Sequence, residues 1–276
     1  MRVIDFHQHL WIREVGQMQA EGARGFVAGM DRHGVERAVL HALPTSLYPH
    51  VGDNGDVLKA IREFPDRLIG SVYINPRDIA RSLEALNRYH GEGFGCVKLL
   101  PYFEGVYVDD PTYTPVFEKV DELRLPVMIH MGPRGGLPRT GVKVPFDFKC
   151  IHPMYLTNLA ARFPNTNFVI AHLAFELFWD AIALHRAYRN VYIEVSMNGP
   201  NSLARQVLLD LEKQGPKDRA RVLRLDSRVM FGLDLNSTSY AEYIGYWKEF
   251  IEEAGKPQFL DAFFYATAAR VLGLPV

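Results

Sequence analysis

Eight short β-branched or apolar runs are spread along the chain, and each is followed by a segment whose apolar residues recur at helical spacing. The runs are Val3–Phe6, Ala38–His41, Ile69–Ile74, Gly95–Leu100, Val127–His130, Phe168–Ala171, Val191–Val195 and Val229–Leu233. Such alternation is the pattern of strand–helix–strand units around a parallel sheet. The helical segments include Asp56–Phe64, Ala80–Tyr89, Pro115–Leu123, Met154–Phe163, Phe175–His185, Ser202–Lys213 and Ala241–Glu253. Phe64-Pro65 and Phe163-Pro164 are stop signals, because proline cannot continue a helix and disfavours helical geometry in the residue before it.

An open doubly wound sheet gives the same alternation as a (β/α)8 TIM barrel, so periodicity alone leaves both open. With 276 residues, 48% of them hydrophobic, the chain suits a barrel with one large core. We therefore expect a single domain over residues 1–276. Met131–Pro153 is the one long irregular stretch and holds four prolines, and loops of that length usually serve function or move. It reads as a flap over the site after the fifth strand.

A formal net charge of -1 provides no electrostatic footprint for nucleic acid. No targeting segment and no run of about 18 apolar residues is present, so the expectation is a cytoplasmic protein without membrane contact. Cys96 and Cys150 lack framework spacing and read as reduced thiols.

If the runs form a barrel, their C-terminal ends converge on the face where enzymes of this fold place their chemistry. Those ends carry His7 and His9, His41, Asn75, Lys98, His130, His172, Glu194 and Asp234. In His7-Gln8-His9 the two-residue period puts both imidazoles on one side of the strand, about 7 Å apart at the α-carbons. His130 and His172 each end an apolar strand, where a neutral imidazole can ligate Zn2+ or serve as a hydrogen-bonded core residue. Asp234 suits a metal, or the N-cap of the next helix. Taken together, His7, His9, His130, His172 and Asp234 point to one divalent ion at the barrel mouth. Zinc is expected, with manganese also compatible with these ligands.

The strand-one His-x-His, the single histidines after strands five and six, and Phe231-Gly-Leu-Asp234 resemble the amidohydrolase superfamily. The nearest likeness is its amidohydrolase-2 branch, the aminocarboxymuconate semialdehyde decarboxylase-like metal-dependent hydrolases. Gly95-Cys-Val-Lys98-Leu99 and Ala268-Ala269-Arg270-Val-Leu-Gly273-Leu274 are similar to further pieces of that branch, so the resemblance runs from Ile4 to Leu274. It implies that His7, His9, His130 and Asp234 hold or approach the metal and that His172 is a catalytic imidazole. Thr267 departs from the closing signature, which commonly has Asn there, and Leu235-Asn236 departs from the usual continuation after the aspartate. The resemblance also implies a homodimer.

Such a site suits hydrolysis of an amide, lactone or related carbonyl compound, with Asp234 as general base. The alternative is non-oxidative decarboxylation of a small carboxylated substrate at the same site, and a further one is a barrel that binds metal without catalysis. Lys98 has three readings: a carboxylated bridge between two metals, a cation for a substrate carboxylate, or a structural residue. Arg134 follows His130 closely enough to meet a substrate carboxylate, while Arg139 and Lys143 read as solvated loop charges. Trp11, Tyr73, Asn75 and Tyr102 fall just beyond strand ends and are candidates to line the pocket. No Gly-x-Ser-x-Gly elbow exists, and neither cysteine has an obvious paired histidine, which argues against a metal-free nucleophilic hydrolase.

Overall fold

The computed structural model describes residues 1–133, 147–200, 202, 204–213, 223 and 225–276. Its eight strands are β1 (Ile4–Gln8), β2 (Arg37–His41), β3 (Leu68–Tyr73), β4 (Phe94–Leu99), β5 (Val127–Ile129), β6 (Phe168–Ile170), β7 (Val191–Glu194) and β8 (Val229–Met230). They pair in chain order, every neighbour parallel. The Phe6 N–H donates to the Phe231 carbonyl (3.0 Å) and the Asp234 N–H to that of His7 (2.8 Å), tying the last strand to the first. The sheet thus closes as a TIM barrel, and the doubly wound alternative is excluded.

The helices are α1 (Gly22–His33), α2 (Asn54–Glu63), α3 (Ile79–His90), α4 (Pro101–Glu104), α5 (Thr114–Glu122), α6 (Thr157–Arg162), α7 (Phe178–Ala187), α8 (Ala204–Lys213), α9 (Tyr240–Glu253) and α10 (Thr267–Val271). Among the described residues none is long and apolar enough to cross a membrane. Two expected elements change. The run read as Val229–Leu233 leaves the sheet after Met230, because the Phe231 N–H turns to the Phe263 carbonyl and the Leu233 N–H to the Asp5 carboxylate. The helix expected from Phe175 begins at Phe178, after a left-handed turn.

Two apolar layers divide the strands by their period of two. Leu40, Val97, Ile129, Ile170 and Ile193 face the helices, while Ile4, Phe6, Val39, Cys96, Met128, Val169 and Met230 fill the barrel interior against Tyr265, Ala268 and Ala269. Two residues further along, the inward positions are His41, Lys98, His130, Ala171, Glu194 and Gly232. Alternation therefore converts an apolar plug into a polar layer at the C-terminal ends.

β1 reaches that layer by changing phase. Asp5 pairs with Ala38 and Gln8 with Leu40, so β1 holds one more residue than β2 across this interval. Such a bulge flips the side chains that follow. Strict alternation from Ile4 and Phe6 would aim Gln8 inward; instead His7 and His9 enter the site, and Gln8 donates to the Leu235 carbonyl. Asp5 braces the irregularity, accepting from the His7 N–H (3.0 Å), the Leu233 N–H (3.1 Å) and the Tyr240 hydroxyl (2.7 Å). Burial pushes its carboxyl up to about 6 against the pull of these donors.

After β6, His172, Leu173 and Ala174 take φ values of 58°, 52° and 54°, and Phe175 takes 47°. Left-handed geometry costs a non-glycine residue about 1–2 kcal/mol, and here it directs His172 back toward the barrel axis. Gly132 packs on this turn at φ 88°, where a Cβ would stand 2.2 Å from the Ala174 carbonyl oxygen. Gly132→Ala is expected to lose about 2 kcal/mol or more in urea unfolding, from overpacking and backbone strain. Ala174→Gly should be close to neutral, since relief of about 1–2 kcal/mol offsets about 1 kcal/mol for the buried methyl and chain entropy. A loss above about 1 kcal/mol would contradict the left-handed turn.

Candidate metal centre

His7, His9 and Asp234 each bring one donor atom within 4.8 Å of the others, as do His7, His172 and Glu194; in the first group His7 Nε2 is 4.0 Å from Asp234 Oδ2 and His9 Nε2 3.3 Å from Oδ1. Their ring orientations follow from partners that have only one hydrogen-bonding role. Lys98 Nζ, which can only donate, lies 2.9 Å from His7 Nε2, so that nitrogen is the acceptor. His7 Nδ1–H then donates to Glu194 Oε2 at 2.9 Å. Likewise His9 Nδ1–H donates to the His41 carbonyl (2.6 Å), which leaves the His9 Nε2 lone pair facing Asp234 Oδ1 at 3.3 Å.

With Asp234 ionised, two acceptors face each other in that last contact. Burial holds the His9 imidazole down to about 3, with the Lys98 charge adding to the effect, so the ring is neutral at ordinary pH. Burial and Lys98 hold His7 well below the usual histidine range as well. His172 is lowered by burial, then by His130 and Lys98. For Asp234, burial pushes the carboxyl up and Lys98 draws it back; for Lys98, burial lowers the ammonium while Asp234 and Glu194 support it. Neutral imidazoles with outer nitrogens tied to protein acceptors and inner lone pairs opposed to a carboxylate are a donor set that a divalent cation fits.

His172 stands beside this group, its Nε2 3.9 Å from Asp234 Oδ2. His130 is one ring further out: its Nδ1 meets His172 Nε2 at 3.2 Å, and it is not among the three converging donors. Asp234 has φ 55° and caps no helix; the short turn that leads into α9 is preceded by Asn236 instead.

Aromatic side chains surround the imidazoles. The Tyr102 ring lies 4.9 Å from that of His130, and its hydroxyl is 3.2 Å from that of Tyr48. Trp11 sets an edge against His9 at 6.2 Å and stacks on His50 at 5.7 Å. Phe175 stacks on His172 at 4.6 Å. Asn75 is elsewhere: its Oδ1 accepts from the Arg77 N–H, and it lines a cavity of about 590 Å3 with Tyr73, Arg77 and Glu104 that includes none of the clustered histidines. Arg134, Arg139 and Lys143 lie outside the described residues, as does most of the stretch read as a flap, residues 134–146. Thr267 is buried and accepts from Arg270 Nη2 at 3.3 Å, a packing role at the start of α10.

Glu194 and Ser196 were not among the expected site residues, although Glu194 ends a strand. Glu194 accepts from His7 Nδ1–H, from the backbone N–H groups of His172 and Ser196, and from the Ser196 hydroxyl. Burial pushes its carboxyl up and these donors pull the other way. Two-residue spacing in Glu194-Val-Ser196 was the available signal, the same spacing that singled out His7 and His9.

The fold is similar to that of several solved structures. A probable 2-pyrone-4,6-dicarboxylic acid hydrolase from Acinetobacter baumannii, solved with citric acid bound, superposes with a TM-score of 0.67 at 18% identity, covering 99% of this chain and 100% of that one. The 2,6-dihydroxybenzoate decarboxylase from Rhizobium matches with a TM-score of 0.68 at 18% identity over 98% of each chain. An uncharacterised TIM-barrel protein from Bordetella bronchiseptica gives 0.71 at 17% identity over 99% of each. No curated protein matches the sequence. The amidohydrolase family profile, in contrast, aligns from residue 4 to residue 274, and with the closed barrel and its mouth of imidazoles this shows that the chain belongs to the amidohydrolase family of metal-dependent enzymes.

Proposed function

We propose that the chain hydrolyses an amide, lactone or related carbonyl compound at a single divalent ion held by His7, His9 and Asp234; His130, one ring further out, is the further ligand that the family resemblance implies. The observation that carries this is the contact of His9 Nε2 with Asp234 Oδ1, two acceptors 3.3 Å apart in a buried site. An acceptor pair of this kind calls for a cation. Zinc is the ion proposed, and manganese suits the same nitrogen and oxygen donors.

When bound, such an ion polarises a carbonyl and lowers the pKa of water toward about 7. The chain's own groups do the proton work. Asp234 takes a proton from the attacking water and delivers it to the leaving group, and its burial raises its basicity for that task. His172, neutral and 3.9 Å from Asp234, orients the water or the carbonyl. Lys98 presents a buried ammonium on the same side as His7 Nε2, where it meets a developing oxyanion or a substrate carboxylate. Trp11 and Tyr102 set their rings against His9 and His130 at the edge of this group.

Lys98 also favours a second reading, non-oxidative decarboxylation of a carboxylated aromatic or similar acid. There Lys98 fixes a polar group of the substrate, and Asp234 or His172 protonates the carbon before carbon dioxide leaves. Structural likeness to the Rhizobium 2,6-dihydroxybenzoate decarboxylase supports that choice of test substrates.

Elemental analysis of the purified protein is expected to find about one ion per chain, lost in His7→Ala and His9→Ala. Full occupancy in His7→Ala would overturn the ligand assignment, and near two ions would bring Lys98 forward as a carboxylated bridge. In a screen of lactones, amides and aromatic acids, Asp234→Asn should retain part of the metal yet lose turnover by about 100-fold or more. Carbon dioxide release by the wild type on an active substrate would select decarboxylation over hydrolysis.

A further inference from the structure

We propose that Glu194 and Ser196 form a positioning pair, one that decides which ring nitrogen of His7 and of His172 presents its lone pair to the site. The metal part of the inference rests on the function proposed above; the part that concerns ring nitrogens does not.

Glu194 Oε2 lies 2.9 Å from His7 Nδ1 and 2.9 Å from Ser196 Oγ. The same hydroxyl oxygen lies 2.7 Å from His172 Nδ1 and 3.1 Å from His7 Nδ1. Glu194 Oε2 already accepts from His7 Nδ1–H and the His172 N–H, and Oε1 from the Ser196 N–H, so both oxygens are acceptors and the single Ser196 proton points to Glu194. Ser196 Oγ is then left with lone pairs for the imidazoles, and His172 must donate its Nδ1–H to it. Both rings therefore hold their proton on Nδ1 and turn Nε2 inward: His7 Nε2 accepts from Lys98 Nζ at 2.9 Å and lies 4.0 Å from Asp234 Oδ2, while His172 Nε2 accepts from His130 Nδ1–H at 3.2 Å and lies 3.9 Å from the same oxygen.

Gly232 is part of the device. A Cβ there would come within 2.2 Å of Glu194 Oε1 and 2.8 Å of His7 Cβ, so the carboxylate occupies the space that a side chain on β8's extension would fill. All four polar partners are buried, at 0% exposure for His7, Glu194 and Ser196 and 1% for His172.

Loss of a histidine ligand's outer carboxylate typically weakens metal affinity about 10- to 100-fold. Glu194 and Ser196 should separate in effect, because Glu194 acts on His7 and Ser196 chiefly on His172. The test compares wild type, Glu194→Gln and Ser196→Ala, each checked by circular dichroism for native folding. Two readouts are used: Zn2+ affinity by competition with a chelator, and the ring-nitrogen spectrum of metal-free, 15N-histidine-labelled protein.

Wild type is expected to show Nδ1–H tautomers at His7 and His172. In Ser196→Ala the His172 signals should move toward a tautomer mixture while Zn2+ affinity stays within about 3-fold; in Glu194→Gln, Zn2+ should bind about 10- to 100-fold more weakly. Ser196→Ala remains informative should Glu194→Gln not fold. Unchanged histidine spectra in a folded Ser196→Ala protein, or wild-type Zn2+ affinity in a folded Glu194→Gln protein, would overturn the proposal. A wild type that takes up no Zn2+ but has the expected tautomers would sink the metal reading and leave the positioning pair standing.

Discussion

Everything at the mouth of this barrel depends on giving His7, His9 and His172 a division of labour, with a proton on the nitrogen that faces protein acceptors and a lone pair on the nitrogen that faces Asp234. His7, His9, His41, His130 and His172 are all at least nine-tenths buried, in company with Glu194 and Lys98. A cluster of that kind is tolerable only when polar atoms have partners, since an unpaired buried group costs about 1–3 kcal/mol. The outer nitrogens of His7 and His9 find theirs in a carboxylate and a carbonyl. The inner ones do not, apart from the Lys98 ammonium on His7. The inner nitrogen of His9 faces Asp234 Oδ1 at 3.3 Å, so the least settled contact of the cluster lies where the chemistry is proposed, and local rules are expected to give way to function there.

The alternation of apolar runs and helices made the barrel legible, because burying a parallel strand on both faces demands continuous apolar sequence. The C-terminal ends were legible for the same reason: His130 and His172 stand where an apolar run stops. The two-residue spacing put His7 and His9 on one side, but the bulge that turns that side inward could not be read. Nothing in Ile4-Asp-Phe-His-Gln-His9 announces the bulge that brings His7 rather than Gln8 inward, since it depends on Asp5 collecting donors from Leu233 and Tyr240, more than 200 residues away in sequence. The left-handed turn at His172 was missed because its residues, Leu173, Ala174 and Phe175, are ordinary helix formers that packing overrides. Asn75 sits at a strand end yet serves the turn before α3, a reminder that strand-end position selects a face of the barrel and not a distance from its axis.

Phe231-Gly-Leu-Asp234 shows how one short motif can carry several physical demands. Gly232 makes room for Glu194 against His7. Leu233 donates its N–H to Asp5 and so anchors the bulge of β1. Asp234, held at φ 55° with its N–H on the His7 carbonyl, then projects its carboxylate across the two β1 histidines. Strain at Asp234 and at His172 falls on the two residues proposed for proton transfer, in keeping with backbone strain being kept where the surrounding structure can hold it.

Lys98 links the metal reading to the choice of substrate. Its ammonium donates to His7 Nε2, the same lone pair that an ion would take. An ion there competes directly with Lys98, and the displaced ammonium, buried beside Asp234 and Glu194, must find another acceptor. Both carboxylates already have work, Glu194 with four donors and Asp234 with the ion. The oxygen of a bound carbonyl compound or a substrate carboxylate is the acceptor that restores the balance. A neutral apolar ligand provides none, so it would leave the ammonium buried and unpaired. Under the proposed function, the electrostatics of Lys98 favour substrates with an anionic or strongly polar group next to the reacting carbon, whichever of the two proposed reactions follows.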